Sequence, residues 1–251
     1  MQYMYRYDEQ STRQKLIPIS KAAELIGISI STLRRWDKSG QLKSIRSGPR
    51  GRRFYNLLDI EQLTQDQRNL AKKWAELPQG VEPGAEEYCR TRDVFQARLE
   101  KLQSTLSQEW PIATVSLVTA IAGEIGNNSF DHNLGNWPDV AGVFFSYSMR
   151  NKFVVLADRG QGILATLKRV KPNLSSPQEA LKAAFTEKIS GRLPEARGNG
   201  LKFVRQVVTG NPFTLYFQTG DAGLNLKQYD KDVVVKRANS YIRGCFAIIS
   251  F

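Results

Sequence analysis

Apolar residues recur along this chain with two different periods, and the switches between them mark its elements. Ser20 precedes Lys21-Ala22-Ala23-Glu24-Leu25-Ile26, with Glu24 one residue beyond a Ser-x-x-Glu capping box, and Gly27 ends this first predicted helix. Ser31-Thr32 leads into Leu33-Arg34-Arg35-Trp36-Asp37-Lys38, a second helix closed by Ser39-Gly40. Two short helices joined through a glycine turn predict a helix-turn-helix. Residues 42–46 and 52–55 read as strands around Ser47-Gly48-Pro49-Arg50-Gly51, a wing whose Gly and Pro require a turn. Two longer helices follow at 59–77 and 86–110, with apolar residues at Leu63, Leu70, Trp74 and Leu77, then Val94, Leu99, Leu102 and Leu106. Pro78-Gln79-Gly80-Val81-Glu82-Pro83-Gly84 separates them as a hinge.

The second half opens on a mainly apolar helix over residues 112–125, followed by strand-like runs at 140–147 and 152–157. Residues 163–197, punctuated by Pro172, Pro177, Gly191 and Pro194, read as two polar helices suited to a movable lid. A further helix begins at Gly198-Asn199-Gly200-Leu201 and continues through Phe203, Val204 and Val207. The pattern predicts an α+β fold in three segments: a winged helix-turn-helix at 16–63, a helical linker at 64–110 and an α/β domain at 111–251. The Leu99, Leu102 and Leu106 stripe either covers that last domain or pairs with a second copy of itself, the former preferred because the stripe runs for under three heptads.

With 251 residues, 41% hydrophobic and 24% charged, the chain can bury real cores. Its net charge of +12 is uneven: residues 1–60 hold twelve Lys/Arg against five Asp/Glu, which points to a polyanionic partner for that end. Cys89 and Cys245 fit neither a disulfide framework nor a zinc spacing, so a reducing, cytoplasmic setting is expected. The start lacks an apolar signal region and no run of 18 apolar residues occurs, so neither export nor membrane insertion is expected.

Between Arg34 and Arg53 lie eight basic residues and one acid, Asp37. Leu33 and Trp36 share an inward helix face, which directs Arg34 and Arg35 outward toward a groove or phosphates. Ser31 and Thr32 at the head of that helix join them as candidate DNA contacts. On the wing, Arg46, Arg50, Arg52, Arg53 and the Tyr55 hydroxyl are placed to grip a sugar-phosphate backbone. The segment resembles the winged-helix DNA-binding domain of the MerR and excisionase families, whose closing helix is matched by Asp59-Ile60-Glu61-Gln62-Leu63. The resemblance implies a Thr-Leu-Arg-Arg-Trp helix in the major groove of duplex DNA, and a homodimer. The competing reading is a basic solvated face on a protein-binding hairpin.

Glu124, Asn128 and His132 arrive at intervals of four, along one helix face. A carboxylate there can polarise water, and an amide oxygen one turn on can coordinate magnesium. Asp158-Arg159-Gly160-Gln161-Gly162 follows a strand, where an aspartate can accept from an amino group such as that of adenine. Arg197-Gly198-Asn199-Gly200-Leu201 opens a helix whose free NH groups suit phosphate. Taken together these stretches resemble the N, G1 and G2 boxes of the GHKL fold of gyrase, chaperone, histidine-kinase and mismatch-repair ATPases. The resemblance implies ATP and Mg as ligands, with Asn128 on the metal, Asp158 on adenine and Glu124 as general base. Asp131, His132, Gly160 and Gly162 complete the implied ATP-binding set. Gly244-Cys245-Phe246 departs from the family's Gly-Thr-x-Phe strand, a thiol being a poor hydrogen-bond partner. The compact N box is most similar to anti-sigma-factor serine kinases, and the single histidine inside it argues against a self-phosphorylating sensor kinase.

Three functions fit: a DNA-binding regulator switched by ATP, a protein kinase or slow ATPase placed on DNA, or a degenerate ATPase fold serving as a platform for a protein partner.

Overall fold

The computed structural model describes residues 15–26, 28–46, 48, 51–188 and 200–251, the side chains of residues 62 and 64–66 excepted. The chain is a mixed α+β protein that divides into two compact units, Met1–Leu63 and Thr64–Phe251.

In the first unit, β1 (Leu16–Pro18) leads into α1 (Ile19–Ile26), α2 (Ile30–Ser39), β2 (Ile45–Arg46) and β3 (Arg53–Asn56). The start of α2 is set by Ser29, whose extended backbone lets Oγ accept from Thr32 N at 3.0 Å, two residues before the Ser31-Thr32 start expected from sequence. Gly40, at φ 84°, ends the helix in the left-handed conformation that a side chain would oppose. Glu24 bonds Lys21 Nζ at 2.7 Å, within the same turn of α1. The three strands form an antiparallel sheet in the order β1-β3-β2, with Ile45 opposite Phe54 and Arg46 opposite Arg53. Ala22, Ile26, Leu33, Trp36, Tyr55 and Ile60 are buried. β1, three residues ending in proline, is too short for alternation to reveal it.

Helix α3 (Leu57–Glu76) begins in the first unit and ends in the second. The second unit continues with β4 (Tyr88–Cys89), α4 (Arg92–Leu106), α5 (Ile112–Asn133), β5 (Val143–Ser148) and β6 (Phe153–Asp158). Then come α6 (Gly162–Lys168), α7 (Pro177–Thr186), α8 (Gly200–Gly210), β7 (Thr214–Lys227) and β8 (Val235–Ser250). The five strands form one antiparallel sheet in the order β4-β5-β6-β8-β7.

Consecutive strand residues point to opposite faces, and Phe144 and Phe145 show what covers each. Phe144 joins Ala71, Trp74 and Ala75 of α3 in a buried cluster with Phe153, Val155, Ala157 and Phe246. Phe145 meets Phe95 of α4 edge to face, ring centroids 5.3 Å apart. Residues 64–110 thus lie within the second unit and supply cover to both faces of its sheet. Leu99, Leu102 and Leu106 are buried in the same chain. In the segment read as a movable lid, α7 is seated on the sheet by Phe185 against Phe217 of β7, centroids 5.4 Å apart; residues 189–199 of that segment lie outside the described residues. Among the described residues no helix is long and apolar enough to cross a membrane.

Candidate functional site

The lone acid of the basic segment organises the wing. Asp37 Oδ1 accepts from Ser44 N at 3.0 Å, while Oδ2 accepts from Arg46 Nη2 and Arg53 Nε, each at 2.9 Å. Burial alone would raise its pKa, but the bonds from Arg53, Ser44 and Arg46 outweigh it and hold the carboxyl well below the usual range. Arg46 and Arg53 are therefore fixed to α2, with side-chain exposures of 38% and 22%. Arg34, Arg35 and Arg52 are exposed, as is Ser31.

Two expected DNA contacts are corrected. Tyr55 is fully buried and donates its hydroxyl to Leu33 O at 3.2 Å, so it ties β3 to α2 instead of reaching phosphate. Thr32 is buried with its hydroxyl 2.8 Å from Ser29 Oγ, part of the helix cap. Both follow from tight packing of a small core, where a polar atom must find a partner inside. Arg50 lies outside the described residues.

In the second unit, Asn128 Nδ2 donates to Glu124 Oε1 at 2.9 Å, one turn apart on α5. Gly200, the first residue of α8, lies so close to this pair that an added Cβ would collide with the Glu124 carboxyl. Asp158, at the end of β6 and only 3% exposed, has Oδ2 bonded by Ser129 Oγ at 2.7 Å and Oδ1 by Gly160 N at 2.8 Å. The Cys245 backbone NH also donates to it. Burial pushes its pKa up to about 6 against the opposing pull of these donors. A carboxylate offers about four acceptor positions, and three donors occupy Asp158.

The departure at Cys245 has a structural counterpart. Cys245 pairs in register with Thr219 on β7, whose Oγ1 donates to Gly244 O at 2.8 Å and accepts from Ile163 N at 3.2 Å. A hydroxyl thus stands beside Gly244 and Cys245 on the neighbouring strand. The Cys245 thiol is held protonated by burial and by the adjacent Asp158 charge. Asn133 adds a further link, accepting from Gln161 N at 2.8 Å and donating to Ser129 O at 2.7 Å.

Other residues of the implied set are placed differently. Asp131 pairs with Arg92 at the start of α4. His132 meets the Asp158–Gly162 stretch through its backbone, its carbonyl accepting from Gln161 Nε2 at 3.2 Å. Gly162, with φ 75°, starts α6, and Gly200 and Leu201 start α8. Arg197, Gly198 and Asn199 lie outside the described residues. No group of three or more His, Cys, Asp or Glu suited to a metal occurs among the described residues.

Residues 18–55 match the family model described as MerR family regulatory protein. Those residues carry a MerR-like winged helix-turn-helix motif. A search among curated proteins finds no match to the chain. The MerR-like motif spans the Asp37 clamp and the buried Tyr55, which sequence alone offered as a lone acid and a phosphate ligand. Ser129, Asn133 and Thr219 are the residues that sequence reasoning missed around Asp158. Ser129 carried a usable signal, since it directly follows Asn128; Thr219 carried none, because only strand register brings it to Cys245.

Proposed function

We propose that this chain is a DNA-binding regulator whose MerR-like motif engages duplex DNA and whose second unit binds Mg-ATP in a GHKL-type site. The observation that carries the nucleotide reading is the hydrogen bond from Ser129 to Asp158, because it draws the end of β6 onto the α5 turn bearing Glu124 and Asn128. An antiparallel sheet with α5 among its neighbouring helices supports the same reading.

The residues present fit the implied ligands. With three donors on Asp158, one acceptor position remains for the amino group of adenine. Asn128 gives its Nδ2 to Glu124, which leaves Oδ1 for a magnesium ion, a hard cation that takes few protein oxygens and completes its shell with phosphate and water. The close approach of Gly200 to Glu124 makes a cradle without side-chain bulk, and the backbone NH groups at the start of α8 favour an anion. Bound magnesium would supply charge neutralisation for the triphosphate; this chain's own residues hold and orient the nucleotide. Arg34, Arg35 and Arg52 would meet the DNA, with Arg46 and Arg53 held on the wing by Asp37. A homodimer on DNA is part of this proposal.

Glu124 favours a second reading, that of a protein kinase or slow ATPase, since a binding site alone has no need of a base. A duplex-binding titration with and without Mg-ATP, beside calorimetry of Mg-ATP alone, tests the proposal. Duplex affinity that shifts with nucleotide supports it. Absence of any heat with Mg-ATP at millimolar concentration removes the nucleotide half, and Glu124→Ala assayed for hydrolysis and for DNA response separates ligand from substrate.

A further inference from the structure

Arg159 lies in the chain between Asp158 and Gly160, yet its side chain is wholly buried and points its donors elsewhere. Nη1 donates to Trp74 O at 2.5 Å and Nη2 to Leu77 O at 2.8 Å, while Nε and Nη2 reach the Asp139 carboxylate at 3.1 and 2.6 Å. Trp74 and Leu77 mark the C-terminal end of α3, where helix carbonyls lack intrahelical partners and a cation is favoured. Gly80 packs against this clamp so closely that an added Cβ would sit 2.8 Å from both Arg159 Nε and Asp139 Oδ2. Trp74 Nε1 closes the same loop by donating to Val81 O at 2.7 Å.

A second connection ends on the same carboxylate. Arg243 Nε is 3.8 Å from Asp139 Oδ2, and Arg243 precedes Gly244, which lies against the Asp158 carboxyl. Arg159, which follows Asp158, and Arg243, which precedes Gly244, therefore both terminate at Asp139. With these donors committed, the Arg159 guanidinium serves the end of α3 and not a phosphate.

We propose that Arg159 is a positioning residue that makes the C-terminal turn of α3 respond to occupancy of the Asp158 site. The inference rests on the nucleotide reading of that site. A ligand shifts a conformational equilibrium only by binding its two states differently. A nucleotide held through Asp158 fixes the backbone at residues 158–160, and Arg159 shares that backbone. Its planar fork then holds the Trp74 and Leu77 carbonyls in one arrangement, so the clamped end of α3 is favoured over a frayed one. Residues 57–63 of the same helix belong to the first unit, which makes α3 the segment by which the chain passes from one unit to the other.

Amide hydrogen exchange of the full chain with and without Mg-ATP tests this, read on peptides covering residues 70–82 and, as a measure of binding, residues 120–130. In the natural chain Mg-ATP is expected to slow exchange in both peptides. Arg159→Lys, which keeps the charge but loses the fork, should retain slowing at 120–130 and lose it at 70–82. Asp139→Asn removes the countercharge from the other side and should give the same selective loss, deciding the matter if the lysine variant fails to fold. Slowing at 120–130 alone in the natural chain overturns this inference and leaves the nucleotide reading standing. Slowing at 70–82 that persists in a folded variant overturns it as well. No response at either peptide, with no heat by calorimetry, removes both.

Discussion

Ser129 Oγ donates to Asp158 Oδ2 at 2.7 Å, a buried bond between the C-terminal part of α5 and the last residue of β6. It directly joins the two stretches from which a nucleotide site would be made. Ser129→Ala removes a hydrogen bond to a charged group worth roughly 1.5–3 kcal/mol. Affinity for Mg-ATP is expected to fall by about tenfold or more, about 1.4 kcal/mol per decade. Calorimetry at constant pH checks this; an unchanged affinity would show that Asp158 does not need the bond to meet its ligand.

The acid response of Asp158 has a definite sign. Its carboxyl titrates near 6 in the folded chain, above the ordinary 3.8, because burial disfavours the charge. The folded state therefore holds a proton that the unfolded state has released, and stability associated with this group is present at low pH and lost as pH rises through that interval. The stability of the natural chain relative to Asp158→Asn should fall between about pH 4 and pH 6 and level off above. Paired denaturant melts across that range measure it, and a flat difference would contradict the placement of this carboxyl.

Asp37 has the opposite sign. Its folded pKa lies below the unfolded one, since the bonds from Arg53, Ser44 and Arg46 overcome burial, so its contribution is present above about pH 4 and is lost as pH falls further. Asp37→Asn should destabilise the MerR-like unit at neutral pH by roughly 1–3 kcal/mol. It should also loosen the wing, because Arg46 and Arg53 lose their common anchor. Proton exchange at Arg53 Nε, slow in the natural chain and fast in the variant, reports that release.

Two glycines of the second unit should differ sharply. At Gly200 an added methyl meets the end of the flexible Glu124 side chain, which can swing aside. Gly200→Ala should fold with little loss of stability and weaken nucleotide binding by breaking the Glu124 to Asn128 contact. At Gly244 the φ of 78° disfavours any side chain, and the added methyl faces the Asp158 carboxyl, its backbone oxygen and Gly160 N. Gly244→Ala should cost about 2 kcal/mol or more, as strain and overpacking add. Thermal unfolding of the two variants tests the contrast.

On DNA, Arg34→Ala and Arg52→Ala should each weaken duplex binding and reduce its salt dependence by about one unit of slope if the arginine meets phosphate. Tyr55→Phe should leave the salt slope unchanged and cost about 1 kcal/mol of stability through the lost bond to Leu33 O. A Tyr55→Phe variant with a reduced slope would return that hydroxyl to the interface.

Much of the first unit was readable because its signals are local. Leu33 and Trp36 share a face by helical spacing alone, and their burial follows from it. The wing could be read from Gly and Pro between two basic runs. What could not be read was the use of each polar side chain. Asp37 looked like an isolated acid and Tyr55 like a surface hydroxyl, because their partners lie 7 to 22 positions away in sequence. In the second unit the order of Glu124, Asn128 and Asp158 along the chain could be read, but not that Ser129 bonds Asp158 or that Asp131 pairs with Arg92, since both depend on how separate elements pack.

The sequence by itself determined the helix and strand periods, the concentration of positive charge near the amino end and the order of the acidic, amide and glycine stretches beyond it. These are short-range properties, set by residue type and by spacing within a few turns. Tertiary structure alone decided that α3 and α4 take opposite faces of the sheet, that Thr219 stands beside Cys245, and that Arg159 turns away from Asp158 to hold α3. Each of those depends on strand register or on packing between distant segments, where burial forces a polar group to choose whichever partner the fold brings near.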